Sequence, residues 1–260
     1  MNTYSGQDLT LRGLIESVRR PSLPSQQVTA RYAPKHIPVV GFHVYGEMRF
    51  HEALSAPENL KDSERCLRAI YAATILGEEC VKTEGGELLE AQGEKLHFLI
   101  PAATADGASR GKVVRFAAAF TQAVYKIVRE IAGEGWGGFS MAAEHGLSII
   151  LTTESGSVIS LGPAANNPAK RLSQGVPAGT ISIWNGSRWE EEKVLDREAL
   201  DEADRGTFER FSGFASRAVQ QLQNRRLEVS QLPPSGFRTQ FPGREEAPLA
   251  MYGHVVRADL

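Results

Sequence analysis

The chain has 260 residues, 42% hydrophobic and 23% charged, which is ordinary globular usage and excludes a disordered or fibrous class. A formal net charge of −2 leaves no global basic field, so neither nucleic acid nor an anionic membrane is an expected partner. No apolar run approaches the roughly 20 residues of a membrane helix, and the N-terminal residues show no basic-then-apolar leader pattern.

Residues 1–35 are polar and proline-bearing ("RRPSLPSQQ"), with one short amphipathic piece at Leu9–Val18, and read as a lead-in arm. "HIPVVGFHV", residues 36–44, is apolar and β-branched and reads as a buried strand. Over 62–82 the residues Cys66, Leu67, Ile70, Tyr71 and Ile75 recur at helical spacing, so a helix packed on a sheet is expected. Cys66 and Cys80, the two cysteines, both fall in that segment and match no metal or redox spacing; buried thiols in a reducing cytoplasm are expected. "GGELLEAQGEKLHFLIP" predicts two short strands in a hairpin turning at Gly93.

The clearest helix is 112–132. Val113, Phe116, Phe120, Val124, Ile127 and Ile131 line one side, and Gly133 and Gly135 stop it. Three strands are expected next, at Phe139–Ala143, Leu147–Thr153 and Ser157–Leu161. "NNPAKRL" reads as a helix start, "GTISIWNG" as a strand, and 207–223 as a last helix through Phe208, Phe211, Ala215, Ala218 and Leu222. From 226 to 250 proline, glycine and charge without a period give a linker composition. The opening order β-α-β-β-α-β is the ferredoxin-like motif, so the expected class is α+β: an antiparallel sheet with helices packed on one face.

The stretch "SLGPAANNPAKRL", residues 160–172, carries two readings. In the plainer one, Asn167 is an N-cap and Pro168 the first helical residue. In the functional one, Asn167 and Arg171 lie one helical turn apart and share a face. An amide and a planar guanidinium so placed grip a ribose and a polyphosphate. Asn166 with Lys170 is an alternative register, with a weaker phosphate grip because lysine binds as a point charge.

Three further features stand in order: the turn acid Glu94 after Gly93, the long helix at 112–132, and the strand "GFSMAAEHG" ending in His145-Gly146. Followed by Gly162-x(4)-Asn167-x(3)-Arg171-Leu172, they resemble the class III nucleotidyl cyclase domain over about residues 37–223. The resemblance implies the ferredoxin-like core already read. It also implies closure of a ribose 3′-hydroxyl onto the α-phosphate of an NTP, with Asn167 holding the ribose and Arg171 the phosphate. Two Mn²⁺ or Mg²⁺ ions are implied as cofactors, and a second cyclase domain, in cis or in trans, or a homodimer, as partner. Family members place metal-binding aspartates on the first strand and in the hairpin turn; here Val44 and Glu94 fall at those positions. One carboxylate cannot build a two-metal site, so Glu94 is expected as a solvated turn residue. His43, His97 and His145 are expected at strand edges, off metal.

"HVVRADL", 254–260, matches the start of the family's first strand, with Asp259 as the metal aspartate. The expected organisation is an arm at 1–35, a degenerate cyclase-like domain at 36–225, a linker at 226–250, and the first strand of a second, truncated domain at 251–260. Such a chain alone is expected to turn over weakly or not at all. Ser160, seven residues before Asn167, falls where adenylate cyclases read the base edge. Counting three back from Gly162 reaches Ile159 instead, and neither residue is acidic. The helix start "AANNPAK" and the strand "HVVRADL" resemble the bacterial pyrimidine cyclases of antiphage (Pycsar) defence, which make cyclic UMP or cyclic CMP. The rivals are a non-catalytic pseudocyclase module and an RNA-binding ferredoxin-like domain; the strands lack the paired aromatics the latter needs for base stacking.

Overall fold

A computed structural model describes residues 36–50, 60–133, 136–152, 158–195, 202–223, 227–231 and 254–258. Nine strands and four helices run in the order β1 (His36–Met48), α1 (Leu60–Thr83), β2 (Glu87–Gln92), β3 (Lys95–Pro101), α2 (Gly107–Ile131), β4 (Phe139–Thr152), β5 (Val158–Leu161), α3 (Pro163–Ser173), β6 (Thr180–Trp184), β7 (Trp189–Lys193), α4 (Glu202–Gln223), β8 (Leu227–Gln231) and β9 (His254–Ala258). Leu9–Val18 and the rest of the arm lie outside the described residues.

The main sheet has the order β2-β3-β1-β4-β6-β7, with β5 also paired to β4. β1 is antiparallel to both β3 and β4, so the first four strands follow the ferredoxin-like order and the expected α+β class stands. β6 then adds parallel to β4, and β7 returns as a hairpin. Side chains on a strand alternate between faces. Phe42, Val44 and Met48 of β1 and Leu96, Phe98 and Ile100 of β3 therefore turn to one side, where they join α1, α2 and α4 in the main core. An aromatic cluster ties the layers together: Phe98 meets Phe116 and Phe120 edge-on at 5.4 and 5.2 Å, and Phe120 meets Phe139 at 5.6 Å. Helix α3 packs on β4 and β1 from the opposite side, over a small cluster of Ala142, Leu172 and Val176.

Several boundaries differ from expectation for local reasons. α2 begins at Gly107, five residues early, because the Asp106 side chain caps it by accepting from the Ser109 N–H at 2.8 Å. α4 begins at Glu202; its first turn carries Glu202 and Asp204, which complement the helix dipole. The strands expected at Phe139–Ala143 and Leu147–Thr153 are one, since pairing with β1 runs unbroken through Glu144-His145-Gly146. β7 has no counterpart in the expected elements. Leu227–Gln231, inside the stretch of linker composition, is a strand; it pairs antiparallel with His254–Ala258 as a separate two-stranded sheet. Asp259 lies outside the described residues.

Candidate functional site

The α3 side of the sheet gathers the polar residues. Helix α3 starts at Pro163, with Gly162 as N-cap at φ 138°, so Pro168 is an interior residue and Asn167 is not the cap. Proline at the first helical position starts the helix where an N–H would have no partner anyway. Only glycine reaches so positive a φ readily, and a Cβ on Gly162 would stand 2.9 Å from the Leu147 carbonyl. The other end of the motif, His145-Gly146, is the landing point of the helix. A Cβ on Gly146 would meet the Ala164 methyl at 2.8 Å, so the missing side chain lets α3 settle directly on β4. His145 itself is half-buried, its Nε2–H donating to the Ala102 carbonyl at 3.0 Å.

On this helix the two candidate pairs face differently. Asn167 and Arg171 are half-buried, whereas Asn166 and Lys170 are exposed. The Asn166 amide returns to the Gly162 carbonyl at 3.0 Å. Arg171 reaches the sheet: its Nε donates to Ser182 Oγ at 3.1 Å and its Nη2 to Glu191 Oε1 at 2.5 Å. Ser160 sits half-buried on β5, opposite Ile150 of β4.

The metal-side positions are arranged differently from the family pattern. Val44 is fully buried on the α1/α2 side, between Phe98 and Ala143 in the sheet. It is not next to the hairpin turn. The end of β1 is: Glu47 pairs opposite Lys95 and forms an ion pair with it at 3.6 Å. Glu94 is half-buried rather than solvated, with Oε1 accepting from the Phe50 N–H at 3.2 Å and its carbonyl from the Met48 N–H at 2.9 Å. That carboxylate pins the hairpin to β1. Among the described residues no group of three or more His, Cys, Asp and Glu is placed to hold a metal ion. The described residues of this domain do not fit a divalent pair.

Two histidines are not at strand edges. His43 and His97 are fully buried mid-strand on the α3 side of the sheet. His43 Nδ1 lies 2.9 Å from His97 Nε2, His43 Nε2 lies 2.7 Å from Ser148 Oγ, and Tyr45 stacks on His97 with centroids 4.0 Å apart. The bonds are satisfied when His97 Nε2–H donates to His43 and His43 Nε2–H to Ser148, an assignment made from the network. It leaves a lone pair, not an N–H, unpartnered at His97 Nδ1, a buried atom that like Glu144 Oε2 has no hydrogen-bond partner. Burial pushes His43 down to about 4, and burial with the neighbouring His43 pushes His97 to about 3, so both rings are neutral near pH 7. Arg49 closes this side: its Nη2 donates to Ser140 Oγ at 2.9 Å and the Val176 carbonyl at 2.5 Å, joining the end of β1 to the segment after α3. Nothing in the local sequence around Arg49 signals that reach, which spans 127 residues.

No family model and no curated protein matches the chain. Among solved structures it is similar to a class III adenylyl cyclase-like ATP-binding protein from Pseudomonas aeruginosa, at TM-score 0.47 and 15% identity, covering 72% of this chain and 43% of that one. It thus spans less than half the length of that protein. It is also similar to the guanylyl cyclase Cya2, at TM-score 0.45 and 14% identity over 85% of this chain and 91% of that one. A third likeness is to the monomeric guanylyl cyclase domain of the RhoGC fusion protein from the aquatic fungus Blastocladiella emersonii, at TM-score 0.42 and 15% identity over 56% and 81%.

Proposed function

We propose that residues 37–223 are a class III cyclase-type domain that lends the ribose- and phosphate-contacting helix to a composite nucleotidyl cyclase site. The observation that carries this reading is the placement of Asn167 and Arg171. They lie one turn apart on α3, both half-buried, with Arg171 reaching the sheet, on a helix held close to β4 by the Gly146–Ala164 contact. In the reaction the ribose 3′-hydroxyl gives its proton to water, its oxygen bonds to the α-phosphorus, the bond from that phosphorus to the β-phosphate bridging oxygen breaks, and pyrophosphate leaves. Arg171 would hold charge on the phosphoryl oxygens, and Asn167 the ribose. The described residues of this domain offer no fitting carboxylate pair, so Mn²⁺ or Mg²⁺ would come with a second cyclase-type domain, in cis or in trans, Asp259 being the candidate ligand in this chain.

Ser160 offers a neutral hydroxyl rather than an acid at the base-reading position, which disfavours adenine; the resemblance of "AANNPAK" and "HVVRADL" to pyrimidine cyclases is what supports UTP or CTP as substrate, and with it an antiphage signalling role in the cytoplasm. The Arg171–Glu191 ion pair favours a second reading, a pseudocyclase module that binds no nucleotide and regulates a partner domain. Calorimetric titration with UTP, CTP, ATP and GTP in Mn²⁺ separates the two. On the first reading the pyrimidine triphosphates bind tightest, and R171A weakens them at least tenfold, the size of one lost charge-assisted contact of about 1.5–3 kcal/mol. On the second, R171A changes nothing. Rapid cyclic nucleotide formation by this chain alone would overturn the composite-site reading.

A further inference from the structure

Strand β7 reads Trp189-Glu190-Glu191-Glu192-Lys193, and the pleat sends its consecutive glutamates to opposite faces of the sheet. Glu190 turns to the α2 side, where Arg110 Nη2 donates to its Oε2 at 2.5 Å. Asn185 Nδ2 and Arg188 also meet Oε1, at 2.6 and 3.6 Å, so this carboxylate is clamped from several directions. Glu191 turns to the α3 side and meets Arg171.

The two contacts look alike but their partners differ. Ser182 Oγ, fully buried, fixes the Nε edge of the Arg171 guanidinium, so the plane of the group is set by the sheet. Its Nη2 edge is what Glu191 occupies. Carboxylate and phosphate oxygens accept from guanidinium N–H donors in the same geometry, so Glu191 takes an Nη2 donor a phosphate oxygen would use, and its charge repels phosphate from the remaining donors. The Glu191 side chain is also the more exposed member, at 39% against 20% for Arg171. It can turn into solvent while the arginine stays seated.

We propose that Glu191 is a resident anion on the phosphate-binding edge of Arg171, a competitor that a triphosphate must displace. This rests on the assignment of Arg171 to phosphate in the function proposed above. The latch sets a threshold: occupancy of the arginine by phosphate requires a ligand that outbids one carboxylate, which a triphosphate does more readily than a monophosphate.

Calorimetric titration of the full chain with inorganic tripolyphosphate tests it, using wild type, E191Q, E190Q, R171A and E191Q/R171A. The expected result is that E191Q tightens binding about two- to fivefold, the range for releasing one partly exposed ion pair. E190Q removes the same charge on the other face and is expected to leave affinity unchanged, and R171A is expected to erase the gain in the double variant. Thermal unfolding of each variant checks that the fold persists. If R171A weakens binding while E191Q equals wild type or binds more weakly, the competition is overturned and Arg171 still stands as a phosphate ligand. If E190Q tightens binding as much as E191Q, the effect is bulk charge and the latch is overturned. If tripolyphosphate binds none of the variants, or all of them equally, the latch and the phosphate assignment fall together.

Discussion

The two faces of the seven-stranded sheet follow different rules. On the α1/α2/α4 side, Phe98, Phe116, Phe120 and Phe139 interlock with aliphatic residues and are fully buried. On the α3 side, the same strands bury His43, His97, Ser148 and Glu144, and the nearby Arg49 and Arg171 are tied down by hydrogen bonds. A face filled with apolar side chains depends on shape and volume. A face filled with polar groups depends on partners, and it has two buried atoms, His97 Nδ1 and Glu144 Oε2, without any. The first kind of face specifies a fold by shape; the second holds its groups by hydrogen bonds, one partner at a time.

That contrast can be broken from either side. The largest expected effect is Phe120→Ala in the aromatic cluster. Loss of a fully buried phenyl costs about 3–5 kcal/mol, read from the denaturant midpoint. Such a loss would leave the order of the α3 face intact in whatever fraction stays folded.

Acid attacks the opposite face. Both histidines titrate below their ordinary value when folded, so the unfolded chain takes up their protons first as pH falls. Their contribution is complete above about pH 6.5 and is lost through the interval down to about 4 for His43 and about 3 for His97. Within that window, stability is expected to fall by roughly 1.4 kcal/mol per pH unit for each ring. Urea unfolding at pH 7, 6, 5 and 4.5 measures the slope. His97→Phe, which keeps a ring beneath Tyr45, is expected to halve it; an unchanged slope would assign the acid sensitivity elsewhere.

Gly146→Val is smaller, about 1–3 kcal/mol, because the added carbons collide with Ala164 and lift α3 from β4. It should alter tripolyphosphate affinity through Arg171 while sparing the aromatic face, whose packing near-ultraviolet dichroism would report. Smallest is Asp106→Ala, about 1 kcal/mol from the lost α2 cap, with no effect on ligand binding.

How much of this was legible in the sequence divides along the same line. The α2 stripe, the β2–β3 hairpin and the apolar start of β1 follow from periodicity, and with them the ferredoxin-like order. β7 was not legible: "WEEEK" has no apolar alternation, and its strand is made by pairing with β6 and by the charges it holds on both sides. The starts of α2 and α4 were hidden because capping and dipole charges, not apolar spacing, set them. On the candidate site, the shared face of Asn167 and Arg171 was readable from spacing alone. The competing carboxylate at Glu191 and the Ser182 anchor were not, since both arrive by tertiary approach. Motif spacing points to Val44 at the first-strand metal position; only the strand register shows that Val44 lies mid-strand and that Glu47 is the acid beside the hairpin turn. His43 and His97 looked like edge residues because polar side chains usually are. In the folded sheet each is the reason the other can be buried.

β4 bears a consequence for α3. Its early residues, Met141–Ala143, pair with β6, while Ile149–Thr152 pair with β5, and α3 is the span between those two strands. The helix is therefore a plank resting at both ends on one beam. The backbone that carries Asn167 and Arg171 is thus tied to β4 at both ends, while the Arg171 guanidinium is tied to β6 and β7.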